Sequence, residues 1–298
     1  MPVLVPTTLD AAVSMLADAP GALVLAGGTD AMVEINAGHR RPDVVVAINR
    51  VAELRSWTYD PDAATVRIGA AVTYAELMES PLADLIPALA EASRTVGSPQ
   101  IRHAGTLGGN LGTCSPAGDG LPVLTALEAV VHLASATGER SLPVAEFMVG
   151  VKRTARRPDE LITAVTVPVL TGYQGYSKVG VRNAMVIALA TACLAIDENA
   201  GDEKGGDETR KHAGGGAVRL AIGSVGPTII RCAEAEVFAA TAVDLVGRTA
   251  SAEVVTHFGA LAAAASRPID DHRATAAYRR HAIGVLASRL LRRAFPNE

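Results

Sequence analysis

The chain has 298 residues, a hydrophobic fraction of 49% and a formal net charge of −4, and these values exclude several classes of protein. The length is enough for two domains with cores of their own. The acidic balance argues against nucleic-acid binding and against attraction to anionic membranes, because both need a basic surface. The sequence has no apolar run of the roughly 20 residues that span a bilayer and no secretory signal, so we expect a cytoplasmic protein.

The first fifty residues predict a small βαβ unit. A helix should begin at Leu9, after the capping residue Thr8, and an apolar strand around Val24 enters a glycine turn at residues 25–31. Residues 43–48 have the continuous apolar pattern of a buried parallel strand. A strand, a glycine turn and a helix start form a phosphate-binding arrangement, since bare N–H groups and the positive end of the helix dipole face the ligand.

Residues 56–170 predict a second unit of mixed α and β structure. Thr73 and Glu76 match a capping box at the start of a helix. The other predicted elements are hairpin strands at 56–59 and 65–68, helices at 82–95 and 122–126, and strands at 129–134 and 161–167.

A glycine-rich stretch at residues 97–119 is predicted to be a long functional loop, since it is low in charge and lies between apolar segments. Its core at residues 105–110 suits close approach, because glycines let N–H groups point into an anion-binding concavity. Neither this stretch nor the turn at 25–31 fits the patterns of Rossmann or P-loop sites. Together the two segments favour a ligand with a central diphosphate held from two sides, and two ordinary tight turns are the alternative.

From residue 173 the pattern changes to that of a small α+β domain. The charged, glycine-rich residues 198–216 have the composition of a mobile hairpin loop. The predicted elements are three antiparallel strands at 175–181, 187–197 and 217–222, followed by a bundle of three helices at 233–246, 251–265 and 274–293.

The three cysteines indicate that this chain holds no metal cluster. Cys114, Cys193 and Cys232 are far apart, without a C-x-x-C pair, whereas an iron–sulfur cluster usually takes four thiolates. Cys193 and Cys232 are expected to be small buried hydrophobes. Cys114 lies in the glycine-rich stretch, so it is either another buried hydrophobe or a neighbour of the ligand.

Three motifs together resemble the flavoprotein subunit of the molybdenum hydroxylases, the family of xanthine dehydrogenase and carbon monoxide dehydrogenase. They are AGGTD at 26–30, IRHAGTLGGN at 101–110 and SPAGD at 115–119, and further matches at 159–162 and 270–280 extend the resemblance over nearly the whole chain. The resemblance implies an α+β fold. An FAD-binding domain of the PCMH (vanillyl-alcohol-oxidase-like) type should occupy residues 1–170, with subdomains at about 1–55 and 56–170, and a CO-dehydrogenase-flavoprotein-like domain should occupy residues 171–298.

The resemblance also implies which residues bind FAD. Lys178 matches a lysine that the family places beside the flavin, where a cation would stabilise the anionic reduced ring, although a surface lysine on a strand is the alternative. Asp119 would accept a hydrogen bond from the ligand; the alternative is the N-cap of the helix at 122, and both roles can hold at once. Leu161 or Ile162 would pack on the isoalloxazine or belong to the core. The implied cofactor-binding residues are Leu25, Ala26, Gly27, Gly28, Thr29, Asp30, Ala31, Ile101, Gly105, Thr106, Gly109, Asn110, Gly112, Thr113, Gly118, Asp119, Leu161, Ile162 and Lys178.

The resemblance implies an electron-transfer subunit with FAD and no catalytic acid or base of its own. A small 2Fe-2S subunit would supply electrons, a large subunit would carry the molybdenum cofactor, and an external acceptor would take the electrons from the flavin. A dimer of heterotrimers is the expected assembly. Two alternatives stay open at this point: a self-contained PCMH-type flavin oxidoreductase, and a flavin-binding assembly protein without turnover.

Overall fold

The first part of the chain folds as the predicted βαβ unit. The structure is a computed structural model that describes residues 1–198, 216–245 and 247–296. Parallel strands pair in the order β1-β3-β2, and the Thr8 hydroxyl caps the first helix by accepting from the Ala11 N–H at 3.2 Å. The elements are β1 (Val3–Leu4), α1 (Leu9–Asp18), β2 (Leu23–Leu25), α2 (Ala31–Asn36) and β3 (Val45–Ala47).

A five-stranded antiparallel sheet with helices forms the second unit, and its strand order is β4-β5-β10-β6-β7. The predicted hairpin and capping box are both confirmed, since Thr73 and Glu76 exchange hydrogen bonds of 2.7–3.3 Å. The strands of this sheet are β4 (Trp57–Asp60), β5 (Thr65–Gly69), β6 (Val130–Ser135), β7 (Gly138–Pro143) and β10 (Leu161–Pro168), and β8 (Met148–Gly150) and β9 (Arg153–Thr154) form a separate two-stranded sheet. The helices are α3 (Leu82–Leu85), α4 (Pro87–Arg94), α5 (Pro99–Ala104), α6 (Leu107–Thr113), α7 (Gly120–Ala126) and α8 (Val144–Phe147), with 3-10 turns at Ala52–Arg55 and Glu76–Met78.

The helix predicted at 82–95 is in fact two helices, α3 and α4. Ile86, between them, has φ −132° and ψ 69°. The ring of the following Pro87 pushes the preceding residue out of the helical region, so the first helix has to end there. Pro87 is then well placed as the first residue of α4, where its missing N–H costs nothing.

The prediction of a long loop at 97–119 is wrong, because most of this segment is helical. Ser98 and Thr106 cap α5 and α6 by accepting from N–H groups three residues ahead. The glycines that suggested a loop permit close packing instead. A β-carbon on Gly108 would lie 2.5 Å from the Ala70 β-carbon, so only glycine lets α6 approach the end of β5.

The C-terminal part is a four-stranded antiparallel sheet covered by helices. The predicted three strands are joined by a fourth that was missed, β14, because two residues are too short to show a periodic pattern. The elements are β11 (Gln174–Val179), β12 (Ala190–Asp197), β13 (Ala217–Gly223), β14 (Ile230–Arg231), α9 (Ala233–Ala242), α10 (Ala252–Ala265) and α11 (Ala276–Ala294). Of the segment predicted as a mobile loop, residues 199–215 lie outside the described part of the chain.

The three C-terminal helices form a layer on this sheet rather than a bundle with a core of its own. α9 contacts β13, α11 contacts β12, and α10 packs against both helices. One buried cluster combines sheet residues such as Leu194 and Leu220 with helix residues such as Phe258 and Leu290. Within the described residues, no helix is long and apolar enough to span a membrane.

Candidate functional site

A cavity of about 560 Å³ lies where the β2–α2 turn faces α6. Its walls also include the start of β10 and the hairpin of β8 and β9. Most of the predicted cofactor-binding residues line it, so the fold brings two glycine segments about eighty residues apart to one site. The predicted residues that line the cavity are Leu25, Ala26, Gly27, Gly28, Thr29, Asp30, Ala31, Gly105, Thr106, Gly109, Asn110, Gly112, Thr113, Leu161 and Ile162.

The turn between β2 and α2 presents a run of unused backbone donors to this cavity. Within the described residues, the N–H groups of Gly27, Gly28, Thr29 and Asp30 donate to no other group of the protein. Gly28 has φ +71°, a conformation that glycine adopts without strain. Unpaired N–H groups in such a turn are suited to an anion, and phosphate binding by this segment stays a prediction.

The α6 side of the cavity is built differently from the predicted nest of N–H groups. The Gly108 N–H donates to the Ala70 carbonyl at 2.8 Å, and the Gly109 N–H donates to the Thr106 hydroxyl at 3.0 Å. The Asn110 N–H donates to the Thr106 carbonyl at 3.0 Å. These three N–H groups of the first turn of α6 are therefore not available to a ligand, because the capping and packing of the helix already use them.

At two positions α6 presents only backbone to the cavity, because the residues there are glycines. Gly109 and Gly112 are both exposed, and a β-carbon on Gly112 would meet only the Ile162 Cδ1 atom, at 3.7 Å. Across the cavity, the Thr113 hydroxyl donates to the Asp30 carboxylate at 3.3 Å, which joins the two glycine segments. The geometry suits an extended ligand that passes between α6 and the β2–α2 turn.

Several charged residues of the cavity were not predicted from the sequence. Lys152 and Glu34 form an ion pair of 2.6 Å at the cavity wall, and the Lys152 ammonium holds the pKa of the Glu34 carboxyl below its usual range. Arg156 donates to the backbone carbonyls of Pro158 and Glu160 at 3.4 and 2.5 Å. The sequence around them resembles an ordinary solvated basic loop, so it gives no signal for a site.

Asp119 and Lys178 lie beside the cavity rather than in its lining. The Lys178 Nζ atom contacts an Asp119 carboxylate oxygen at 2.9 Å and the Thr95 carbonyl at 3.2 Å. The Tyr176 hydroxyl donates to the other Asp119 oxygen at 2.7 Å. Burial raises the pKa of Asp119, although the Lys178 charge and these hydrogen bonds act in the opposite direction.

These contacts settle some of the alternatives from the sequence. Asp119 occupies the predicted N-cap position of α7, but its side chain makes no capping hydrogen bond. Lys178 is buried rather than a surface lysine. Ile101 and Gly118 also lie outside the cavity lining; a β-carbon on Gly118 would meet the Asn110 Nδ2 atom at 2.6 Å.

All three cysteines are buried, as predicted for Cys193 and Cys232, and Cys114 does not line the cavity. All three lack a disulfide partner, and burial raises the pKa of each thiol, that of Cys232 to about 12. Among the residues that the structure describes, no group of three or more histidine, cysteine, aspartate or glutamate side chains could hold a metal ion. The thiols are therefore unsuited to nucleophilic chemistry at neutral pH.

Two family models match this chain and together cover most of it. Residues 1–170 match the model described as the FAD binding domain in molybdopterin dehydrogenase. Residues 176–294 match the CO dehydrogenase flavoprotein C-terminal domain.

Individual relatives show the same likeness. The chain is 32% identical over 263 residues to the glyceraldehyde dehydrogenase medium chain of Sulfolobus acidocaldarius, which covers 88% of this chain and 86% of that one. It is 36% identical over 200 residues to the nicotinate dehydrogenase FAD-subunit of Eubacterium barkeri, and the match covers 64% of this chain and 67% of that one. Among solved structures, this chain superposes on a chain of carbon monoxide dehydrogenase from Hydrogenophaga pseudoflava, in a form that lacks the Mo-pyranopterin moiety. The TM-score is 0.86 and the sequence identity 27%, and the match covers 99% of this chain and 97% of that one.

Proposed function

Because the chain belongs to the FAD-binding subunits of the molybdenum hydroxylase family, we propose that it is the electron-transfer flavoprotein of a multi-subunit dehydrogenase. It takes electrons from a 2Fe-2S subunit and passes them to an external acceptor, while a large subunit carries the molybdenum cofactor. A dimer of heterotrimers is the proposed assembly. Support comes from relatives that are named medium chains and FAD-subunits of dehydrogenases.

The observation that carries this proposal is the run of free N–H groups in the β2–α2 turn. A cluster of backbone donors in a cavity is suited to a diphosphate, which is the central group of FAD. The opposite wall is the glycine surface of α6, which leaves room for an extended cofactor. When bound, FAD supplies the electron chemistry at its isoalloxazine ring.

The residues of this chain would hold the cofactor in distinct ways. Gly27, Gly28, Thr29 and Asp30 would donate backbone N–H groups to the diphosphate. Leu161 and Ile162 are buried where β10 begins and line the cavity, so they would exclude water from a flat ring.

The remaining predicted contacts depend on how far the cofactor extends beyond the cavity. The first cavity has four such neighbours, Ile101, Gly118, Asp119 and Lys178, and their contact with FAD stays a prediction.

We also propose that the first two sheets form the subdomains of a PCMH-type domain over residues 1–170, with the flavoprotein C-terminal domain over residues 171–298.

Flavin content tests the cofactor assignment. Purified protein should contain about one FAD per chain, which acid precipitation should release because no attachment residue is expected. Gly112→Leu should weaken FAD binding by about 5- to 150-fold and so lower the flavin content, since overpacking of a filled site costs roughly 1–3 kcal/mol. Gly112→Ala is the matched control, because its methyl group fits at 3.7 Å from Ile162 and alanine favours the helix.

Normal flavin content in Gly112→Leu would show that the cofactor does not pass along α6.

The electron-transfer role is tested separately, by isolating the native complex. Molybdenum and iron should co-purify with this chain in fixed ratios. A flavin-loaded chain that purifies from its native source without either metal would contradict the multi-subunit assignment.

A further inference from the structure

A second cavity, of about 530 Å³, lies beside the first and is strongly basic. It is bounded by the end of α4, by α5 and by the segment that follows β11. Four of its lining side chains carry a positive charge: Arg94, Arg102, Lys178 and Arg182. None of the described residues that line it is an aspartate or a glutamate.

Three of these cations lack a carboxylate partner within 4 Å among the residues that the structure describes. The Arg102 guanidinium donates to the carbonyls of Val96 and Gly97 at 3.0 and 3.1 Å. The Arg182 guanidinium donates to the carbonyl of Ala184 at 3.0 Å, which holds it in place on its own loop. Arg94 is exposed at the rim of the cavity. Among the described residues, Lys178 is the one cation of the four that contacts a carboxylate, that of Asp119.

This concentration of positive charge would attract an anion. Like charges in a concave site repel one another, and the walls of a cleft focus their field. The protein as a whole carries a net charge of −4, so the cavity contrasts with the rest of the molecule. Guanidinium groups present a planar fork of donors that matches the oxygen atoms of phosphate better than a lysine does.

We propose that this basic cavity is a binding site for a phosphate-bearing small molecule, separate from the cavity proposed for FAD. Its volume lies in the usual range for small-molecule sites. The two cavities adjoin, since Val96 and Ile187 line the first while their neighbours Gly97 and Val186 line the second. An occupant would also reach Lys178, which is paired with Asp119 beside the first cavity. The site needs only residues of this chain and does not depend on the proposed electron-transfer role.

Calorimetric titration with pyrophosphate and with ADP tests the proposal. The protein is kept in a phosphate-free buffer of low ionic strength with saturating FAD, so that a bound cofactor blocks the β2–α2 turn. We expect saturable binding of at least one probe at one site per chain. Arg94→Gln and Arg182→Gln should each weaken it by roughly tenfold, as expected for the loss of a charge-assisted hydrogen bond.

Arg280→Gln is the control, since this arginine is exposed on α11 and does not line the cavity. It removes the same charge from the molecule and should leave the dissociation constant unchanged. Because Arg182 also braces its own loop, the Arg94 variant separates charge from loop structure. No saturable binding of either probe, or binding that neither cavity variant weakens more than the control does, would overturn the proposal.

Discussion

Asp119 and Lys178 form an ion pair that is almost excluded from water, with side-chain exposures of 9% and 6%. The family resemblance implies Lys178 as a cation that stabilises reduced flavin. In the folded chain its ammonium is already paired, so any anionic ring nearby meets a neutralised pair rather than a free charge. The first consequence of removing Lys178 is therefore for stability, since it leaves a buried carboxylate without its counter-charge.

We expect Lys178→Met to lower the free energy of unfolding by about 3–5 kcal/mol, the usual loss when one partner of a buried pair is removed. Adding Asp119→Asn should recover most of that loss, because the amide oxygen still accepts from the Tyr176 hydroxyl and no charge remains buried. Denaturant unfolding of the wild type, both single variants and the double variant gives the coupling free energy. Strictly additive effects would show that the two charges do not depend on each other.

The same pair predicts how stability depends on pH. Burial raises the pKa of Asp119 in the folded chain above the unfolded value of about 3.9. The folded chain thus binds this proton more tightly, so the stability that Asp119 contributes decreases as the pH rises from about 4 through the folded pKa. Lys178→Met should make this decrease steeper, and Asp119→Asn should remove it. The assignment would be contradicted if stability instead rose over this pH interval in the wild type and in Lys178→Met but not in Asp119→Asn.

The site residues differ in how visible they are in the sequence. The β2–α2 turn is recognisable because strand, glycines and helix start follow one another directly along the chain. The charged wall of Lys152, Arg156 and Glu34 is not, because two distant segments meet there and neither has a pattern. The basic cavity was missed for the same reason, since its arginines come from α4, α5 and the loop after β11.

Among the elements, those with a regular apolar period were predicted well, including the hairpin of β4 and β5 and the helices α9 to α11. The glycine-rich segment at 97–119 was predicted as a loop because glycine has a low helix propensity. Packing outweighs that propensity here, since α6 can approach β5 only with glycine at 108. Local preferences therefore fail where a close contact between two elements decides the conformation.

The helices α10 and α11 also pack in close contact, and this contact predicts the effect of a substitution on stability. A β-carbon on Gly259 would lie 2.2 Å from the Ser288 hydroxyl oxygen and 2.6 Å from the Gly284 carbonyl oxygen. Gly259→Ala should lower the free energy of unfolding by about 1–3 kcal/mol, even though alanine favours a helix by about 1 kcal/mol over glycine.

Gly284→Ala, on the facing helix, is the matched comparison in denaturant unfolding. Its β-carbon would be 3.2 Å from the Gly259 carbonyl oxygen, so we expect a smaller loss than at Gly259. A stabilising Gly259→Ala would mean that the helices separate easily and that the crossing is not tightly packed.

In the whole molecule, the C-terminal sheet lies between two layers of helices. Alternate residues of β12 point to opposite faces, as a strand requires. Leu194 and Ile196 join the cluster beneath α9 to α11. Cys193 and Ala195 join the cluster formed with α4 and α7 of the preceding unit. The two regions that match separate family models thus share a hydrophobic core.

A shared core predicts that the chain unfolds as one cooperative unit. Exposing the apolar face of the C-terminal sheet would also expose α4 and α7, so neither region gains by unfolding alone. Differential scanning calorimetry should show one transition whose van't Hoff and calorimetric enthalpies agree. FAD at a hundredfold excess over its dissociation constant should add about 2.7 kcal/mol and raise the midpoint of the whole transition by about 4 °C.

The variant Gly112→Leu provides the control for that shift, because it should keep the single transition while the same FAD concentration raises its midpoint by less. The shared core should make the C-terminal helices as sensitive to the cofactor as the β2–α2 turn, although α11 does not line the first cavity. Two resolved transitions, of which FAD moves only one, would show that the shared core is too weak to couple the regions. In that case the C-terminal sheet would fold and unfold as an independent domain.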